Sequence, residues 1–142
     1  MLPDTVVWLK SISFQVDPKA NNGAPFVCHV VVPYSKDLKD RLMSMDSKAY
    51  FNNIDRLEKE YRDSIEVFKF DLIPGKNQMD KSIGIRSYTK AMGAYLFAKY
   101  STAGKFMESV GASPMAVVRC QQYKIEVLSV SNLKEVFGAD AK

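Results

Sequence analysis

The chain has 142 residues, 46% of them hydrophobic and 25% charged, with 20 Lys plus Arg against 16 Asp plus Glu. That length suits one domain, and that balance excludes a chain disordered throughout. One His and two Cys fall short of the four ligands of a structural zinc site, so no metal is expected.

The N-terminal Met1-Leu2-Pro3-Asp4 lacks the basic and apolar regions of a signal peptide. This leaves either a cytosolic protein or one whose leader has been removed. From Val6 to Val16 the even positions are Val6, Trp8, Lys10, Ile12, Phe14 and Val16, apolar except for Lys10. The odd positions turn polar at Ser11, Ser13 and Gln15. A period of two predicts a strand with one buried face. Asp17 to Pro25 holds two Pro and an Asn-Gly pair without apolar periodicity, and reads as a surface loop. Phe26 to Tyr34 is dense in Val, so it reads as a strand covered on both faces.

The period then changes. Leu38, Leu42, Met45, Ala49, Ile54, Leu57 and Tyr61 recur mostly at intervals of three and four, with charges between them. This predicts one interrupted helix or two short ones over residues 36–62, with Asp46-Ser47 as a new N-cap. Ser64 to Ile73 returns to strand and ends at a Pro74-Gly75 turn. Lys81 to Thr89 is a weaker strand around Ile83 and Ile85, and Met92 to Tyr100 a stronger one. Residues 101–114, with Gly104, Gly111 and Pro114, read as a long loop. Met115–Cys120 and Tyr123–Val130 form a hairpin through Gln121-Gln122, and Asn132 to Phe137 a short terminal helix. The fold class is therefore mainly β. It is a two-sheet antiparallel sandwich of about seven strands in one domain, 1–142, with a helical insertion between strands 2 and 3.

The residues carry no catalytic pattern. His29 lies beside Cys28 in a strand, and neighbouring strand residues point to opposite faces, so the two cannot pair directly. Glu58, Glu60 and Asp63 stand among Lys59 and Arg62, which a solvated helix face explains. Cys28 and Cys120 permit one disulfide without demanding it, and their apolar surroundings suit buried thiols. The basic excess is local, because residues 1–71 carry net −1 and residues 72–142 net +5. Between Lys76 and Lys105 it is interleaved with Tyr88, Tyr95, Phe97 and Tyr100. Such a face could serve single-stranded nucleic acid, an acidic protein or an anionic membrane.

The run from Ile12 to Tyr34, with Asp17-Pro18, Gly23-Ala24-Pro25 and a valine-rich strand ending in Tyr, resembles the opening of the type VI secretion outer-membrane lipoproteins of the TssJ family. Asp17-Pro18 stands where that family has Asn-Pro, and the usual Arg of its second strand is absent. The helical stretch, the Phe70-Asp71-Leu72-Ile73-Pro74-Gly75 segment and the Met92–Tyr100 run follow in the family's order. The resemblance implies a transthyretin-like sandwich on the periplasmic face of the outer membrane, tethered by a lipid on a Cys that this chain does not include. It implies a non-catalytic subunit that binds the periplasmic domain of the inner-membrane component TssM and needs no cofactor. By position, the contact loop would be that of Asp17, Lys19, Asn21, Asn22 and Gly23. The alternatives are another periplasmic β-sandwich adaptor of a secretion or pilus system, or a basic nucleic-acid-binding module.

Overall fold

The computed structural model describes residues 7–130 and 132–138. In chain order the elements are β1 (Ser11–Val16), β2 (Phe26–Pro33), α1 (Lys36–Met43), α2 (Ser47–Glu60), β3 (Ile65–Leu72), β4 (Gln78–Ser82), β5 (Tyr95–Ala98), β6 (Met107–Ser109), β7 (Met115–Cys120), β8 (Ile125–Ser129) and α3 (Lys134–Phe137). The strands form two sheets, ordered β4-β1-β7-β8 and β3-β2-β5-β6. The expected sandwich with helices between its second and third strands is what forms. Val6, at the start of the expected first strand, lies outside the described residues.

The valine run of β2 explains the layering. Phe26, Cys28, Val30 and Val32 enter the core between the sheets, where they meet Ile12, Phe14, Leu96 and Val118. Val31 faces the other way, into a second core with Leu38, Leu42, Tyr50, Leu57 and Phe97. β2 is thus buried on both faces, under the opposite sheet on one side and under α1 and α2 on the other. Each fully buried Leu on those helices contributes about 1.5–3 kcal/mol. On the outer face of the other sheet, Phe137 of α3 packs near Val117 and Leu128.

The helices begin where the sequence places caps. Ser35 Oγ accepts a hydrogen bond from the Leu38 N–H at 3.2 Å, and Asp46 Oδ1 accepts one from Ala49 N–H at 2.8 Å. Two helices therefore form, rather than one with a bend.

Four details depart from the sequence reading. First, Trp8 is 52% exposed, while Val7 and Leu9 are buried. The N–H groups of Lys10 and Ser11 both donate to the Pro114 carbonyl, at 2.8 and 3.0 Å. Two residues facing one acceptor make a bulge, which shifts the inward phase from odd positions to Ile12, Phe14 and Val16. Second, the strand expected at Lys81–Thr89 is β4, which lies earlier; Ile83 and Ile85 are buried beyond its end. Third, β6 lies inside the expected 101–114 loop and brings the strands to eight among the described residues. Fourth, β1 and β7 run parallel, from Ser11↔Met115 to Val16↔Cys120, while the other neighbouring strands are antiparallel. Parallel neighbours need a long crossover, and here the whole intervening chain supplies it.

Candidate functional site

The loop after β1 is built by residues that tolerate unusual backbone. Asp17 starts it: its N–H donates to the Cys120 carbonyl at 2.9 Å, and its Oδ1 accepts from the Lys19 N–H at 2.7 Å. Asn21, Asn22 and Gly23 then take φ values of +50°, +55° and +83°. Asn is among the few side-chain-bearing types that enter this left-handed region readily, and Gly enters it freely. Three such residues in a row fold the loop back tightly.

That folding turns Asn21 inward, leaving it 4% exposed. Its Nδ2 donates to the Ala24 carbonyl at 3.1 Å, and its Oδ1 accepts from both the N–H and the hydroxyl of Ser101, at 2.7 and 3.1 Å. Gln122 Nε2 donates to Asn22 Oδ1 at 3.0 Å, and the Tyr100 hydroxyl donates to the Gln121 carbonyl at 2.6 Å. On the other flank the Gly75 N–H donates to the Val16 carbonyl at 3.1 Å, and Asn77 Oδ1 accepts from the Val16 N–H at 2.9 Å. The loops after β1, β3, β5 and β7 thus form one braced end of the sandwich. The start of α2 joins it, since the Ser47 N–H donates to the Lys105 carbonyl at 2.8 Å.

Of the residues expected to meet a partner, Asp17, Lys19, Asn22 and Gly23 are exposed at this end. Asn21 is not; it holds the neighbouring loop. The sequence reading missed the loop after β5. A cavity of about 390 Å³ opens beside it, lined by Asp46, Lys48, Phe51, Lys99 and Ser101 among others. Lys19, Lys48, Lys76, Lys99, Lys105 and Lys124 are exposed around the end, against Asp17, Asp46, Asp71 and Glu108. Tyr123, 65% exposed, projects from the turn after β7. Two buried side-chain oxygens on these loops, Thr102 Oγ1 and Gln121 Oε1, make no hydrogen bond. The whole arrangement is a loop surface held by hydrogen bonds between loops, on which exposed lysines outnumber carboxylates.

The other candidates occupy structural positions. His29 faces α2, with its Nδ1 hydrogen-bonded to the Tyr50 hydroxyl at 2.8 Å and its ring edge-on to Phe51. Burial, then Lys69 and Lys99, lower its pKa to about 4, so it is neutral at ordinary pH. Cys28 points the opposite way, into the core between the sheets. Glu60 is paired with Arg41 at 2.6 Å, and Glu58 lies 4.0 Å from Lys69. The aromatics interleaved with the basic segment do not form stacking platforms: Tyr95, Phe97 and Tyr100 are buried, and the Tyr88 hydroxyl donates to the Leu9 carbonyl at 2.8 Å. Among the described residues, no three or more His, Cys, Asp or Glu are grouped to hold a metal, and no helix is long and apolar enough to cross a membrane.

No protein-family model matches the chain, and no curated protein matches its sequence. Solved structures do. Lip of Serratia marcescens, a membrane-bound component of the type VI secretion system, superposes with a TM-score of 0.67 at 17% identity, over 89% of this chain and 100% of Lip. The type VI lipoprotein TssJ1 of Pseudomonas aeruginosa gives 0.62 at 14% identity, over 84% of this chain and 94% of that one. A chain of the structure described as the type VI protein TssM C-terminal domain (869–1107) from EAEC gives 0.59 at 14% identity, over 85% and 98%. At these identities the shared property is the fold, and the chain folds as a TssJ-like β-sandwich with a helical insertion.

Proposed function

We propose that the protein is a non-catalytic structural subunit of a type VI secretion envelope complex, and that it binds the periplasmic domain of a TssM-type inner-membrane component. One observation carries this reading: the likeness to Lip spans 89% of this chain and all of Lip. In this reading the subunit sits at the periplasmic face of the outer membrane. Cys28 and Cys120 are both fully buried, so a lipid anchor would be attached elsewhere.

The contact surface in this proposal is the braced loop end, with Asp17, Lys19, Asn22 and Gly23 touching the partner and Asn21 fixing the loop. A rigid loop loses little conformational freedom on binding, which favours affinity. The test is a binding titration against the periplasmic domain of the TssM-type protein encoded by the same genome. The wild-type chain should bind, and Lys19→Glu with Asn22→Ala should weaken binding by at least about tenfold, the loss of one or two good contacts. Unchanged affinity in that variant would reject the loop assignment. No binding by the wild-type chain would reject the function.

A further inference from the structure

Cys28 and Cys120 lie 92 residues apart and on different sheets. Cys28 sits in β2, in register with Phe70 of β3 and Ala98 of β5. Cys120 ends β7, in register with Val16 of β1 and Ile125 of β8. Two contacts close the gap between the sheets around them. Phe70 meets Phe14 of β1 with ring centroids 5.1 Å apart. Tyr100, two residues beyond Ala98, donates its hydroxyl to the carbonyl of Gln121, the residue after Cys120. Both cysteines have no exposed surface and share one core. In this structure both are thiols, and each is buried in that shared core from its own sheet.

We propose that Cys28 and Cys120 are a disulfide-forming pair that joins the two sheets when the chain folds in contact with a disulfide-bearing oxidant. One cysteine thiolate attacks a sulfur of the oxidant's disulfide, giving a mixed disulfide and releasing one oxidant thiolate. The second cysteine thiolate then attacks the protein sulfur of that mixed disulfide, forming the Cys28–Cys120 bond and releasing the second oxidant thiolate. The pair gives up two protons and two electrons, and the oxidant's disulfide becomes two thiols. Burial raises the Cys28 thiol well above its usual pKa, so the exchange belongs to the folding stage, before the sheets close. Meeting such an oxidant in the cell rests on the envelope reading above; the pairing chemistry itself does not.

The experiment is to denature and reduce the purified chain, then refold it with a mixture of oxidised and reduced glutathione or with reductant alone. The oxidised product should be monomeric and lighter by two hydrogens. A peptide map without reductant should join the Cys28 and Cys120 peptides, and no thiol should react with an alkylating agent after denaturation. Its Tm should exceed that of the reduced form by about 10 °C, as a cross-link closing a long loop gives in a domain of this size. Cys120→Ala should abolish that difference; should the variant not fold, the peptide map of the unaltered chain decides. Two alkylatable thiols, or glutathione on either cysteine without the link, would overturn the pairing. A chain that binds its TssM-type partner yet keeps both thiols rejects the pair alone, whereas a linked chain without a partner rejects the function alone.

Discussion

Replacing Asn21 by Ala would remove both the acceptor for Ser101 and the donor to Ala24, in a turn already at positive φ. The expected cost is about 2–3 kcal/mol, measurable by urea unfolding. Asn21→Gly should cost about 1 kcal/mol less, because it relieves the backbone. His29 gives a second residue-level outcome. Its folded pKa of about 4 lies below the ordinary value of 6.5, so the unfolded chain binds the extra proton first as pH falls. Stability contributed here is complete above pH 6.5 and is lost as pH drops through 4, with Lys69 and Lys99 favouring the neutral ring and Asp71 opposing them. After solvent screening the loss is about 1–2 kcal/mol, and His29→Phe should flatten that part of a stability–pH profile. The structural role of His29 was legible from strand alternation alone. The inward turn of Asn21 was not, because a polar residue in a polar loop carries no burial signal. The three consecutive types that accept positive φ were the available clue.

At the level of elements, strong periodicity was readable and local irregularity was not. The alternation of β3, the valine run of β2 and the spacing of α1 and α2 each reflect a large buried face. β4 shows the opposite case. Its register with β1 slips between Ile12↔Lys81 and Phe14↔Gln78, which inserts one extra residue near Asp80 at φ +55°. The freed Asp80 N–H donates to the buried Ser13 Oγ at 2.8 Å. Ser13→Ala should therefore cost about 1–2 kcal/mol in thermal unfolding, more than a Ser on a polar strand face would suggest. β6 has three residues at a sheet edge, too few for a period to show. The cap reading of Asp46 leads to a further outcome: Asp46→Ala should destabilise the chain by about 1 kcal/mol, read by the same unfolding assay.

Across the whole molecule, the charge excess reads differently once placed in space. The sequence reading took a basic stretch between residues 76 and 105 as one patch. In the fold its aromatics turn inward, and Lys76, Lys99 and Lys105 join Lys19, Lys48 and Lys124 from distant segments at one end. Linear counting cannot assemble such a surface, because the loops that form it lie about a hundred residues apart. If the partner presents acidic groups there, association should be steered by charge. The on-rate should then fall by roughly tenfold between 0.05 and 0.5 M salt while the off-rate changes little, measured by stopped flow. A salt-independent on-rate would remove steering from the account.

The parallel pairing of β1 with β7 sets when this molecule can exist. β1 lies between β4 and β7 in its sheet, and six residues of β7 register with six of β1. A chain emerging from a ribosome offers β1 long before β7, with five strands and two helices between them. Until residues 115–120 arrive, β1 has an in-sheet neighbour on one side only. High contact order of this kind slows folding and postpones closure of this sheet until β7 is available.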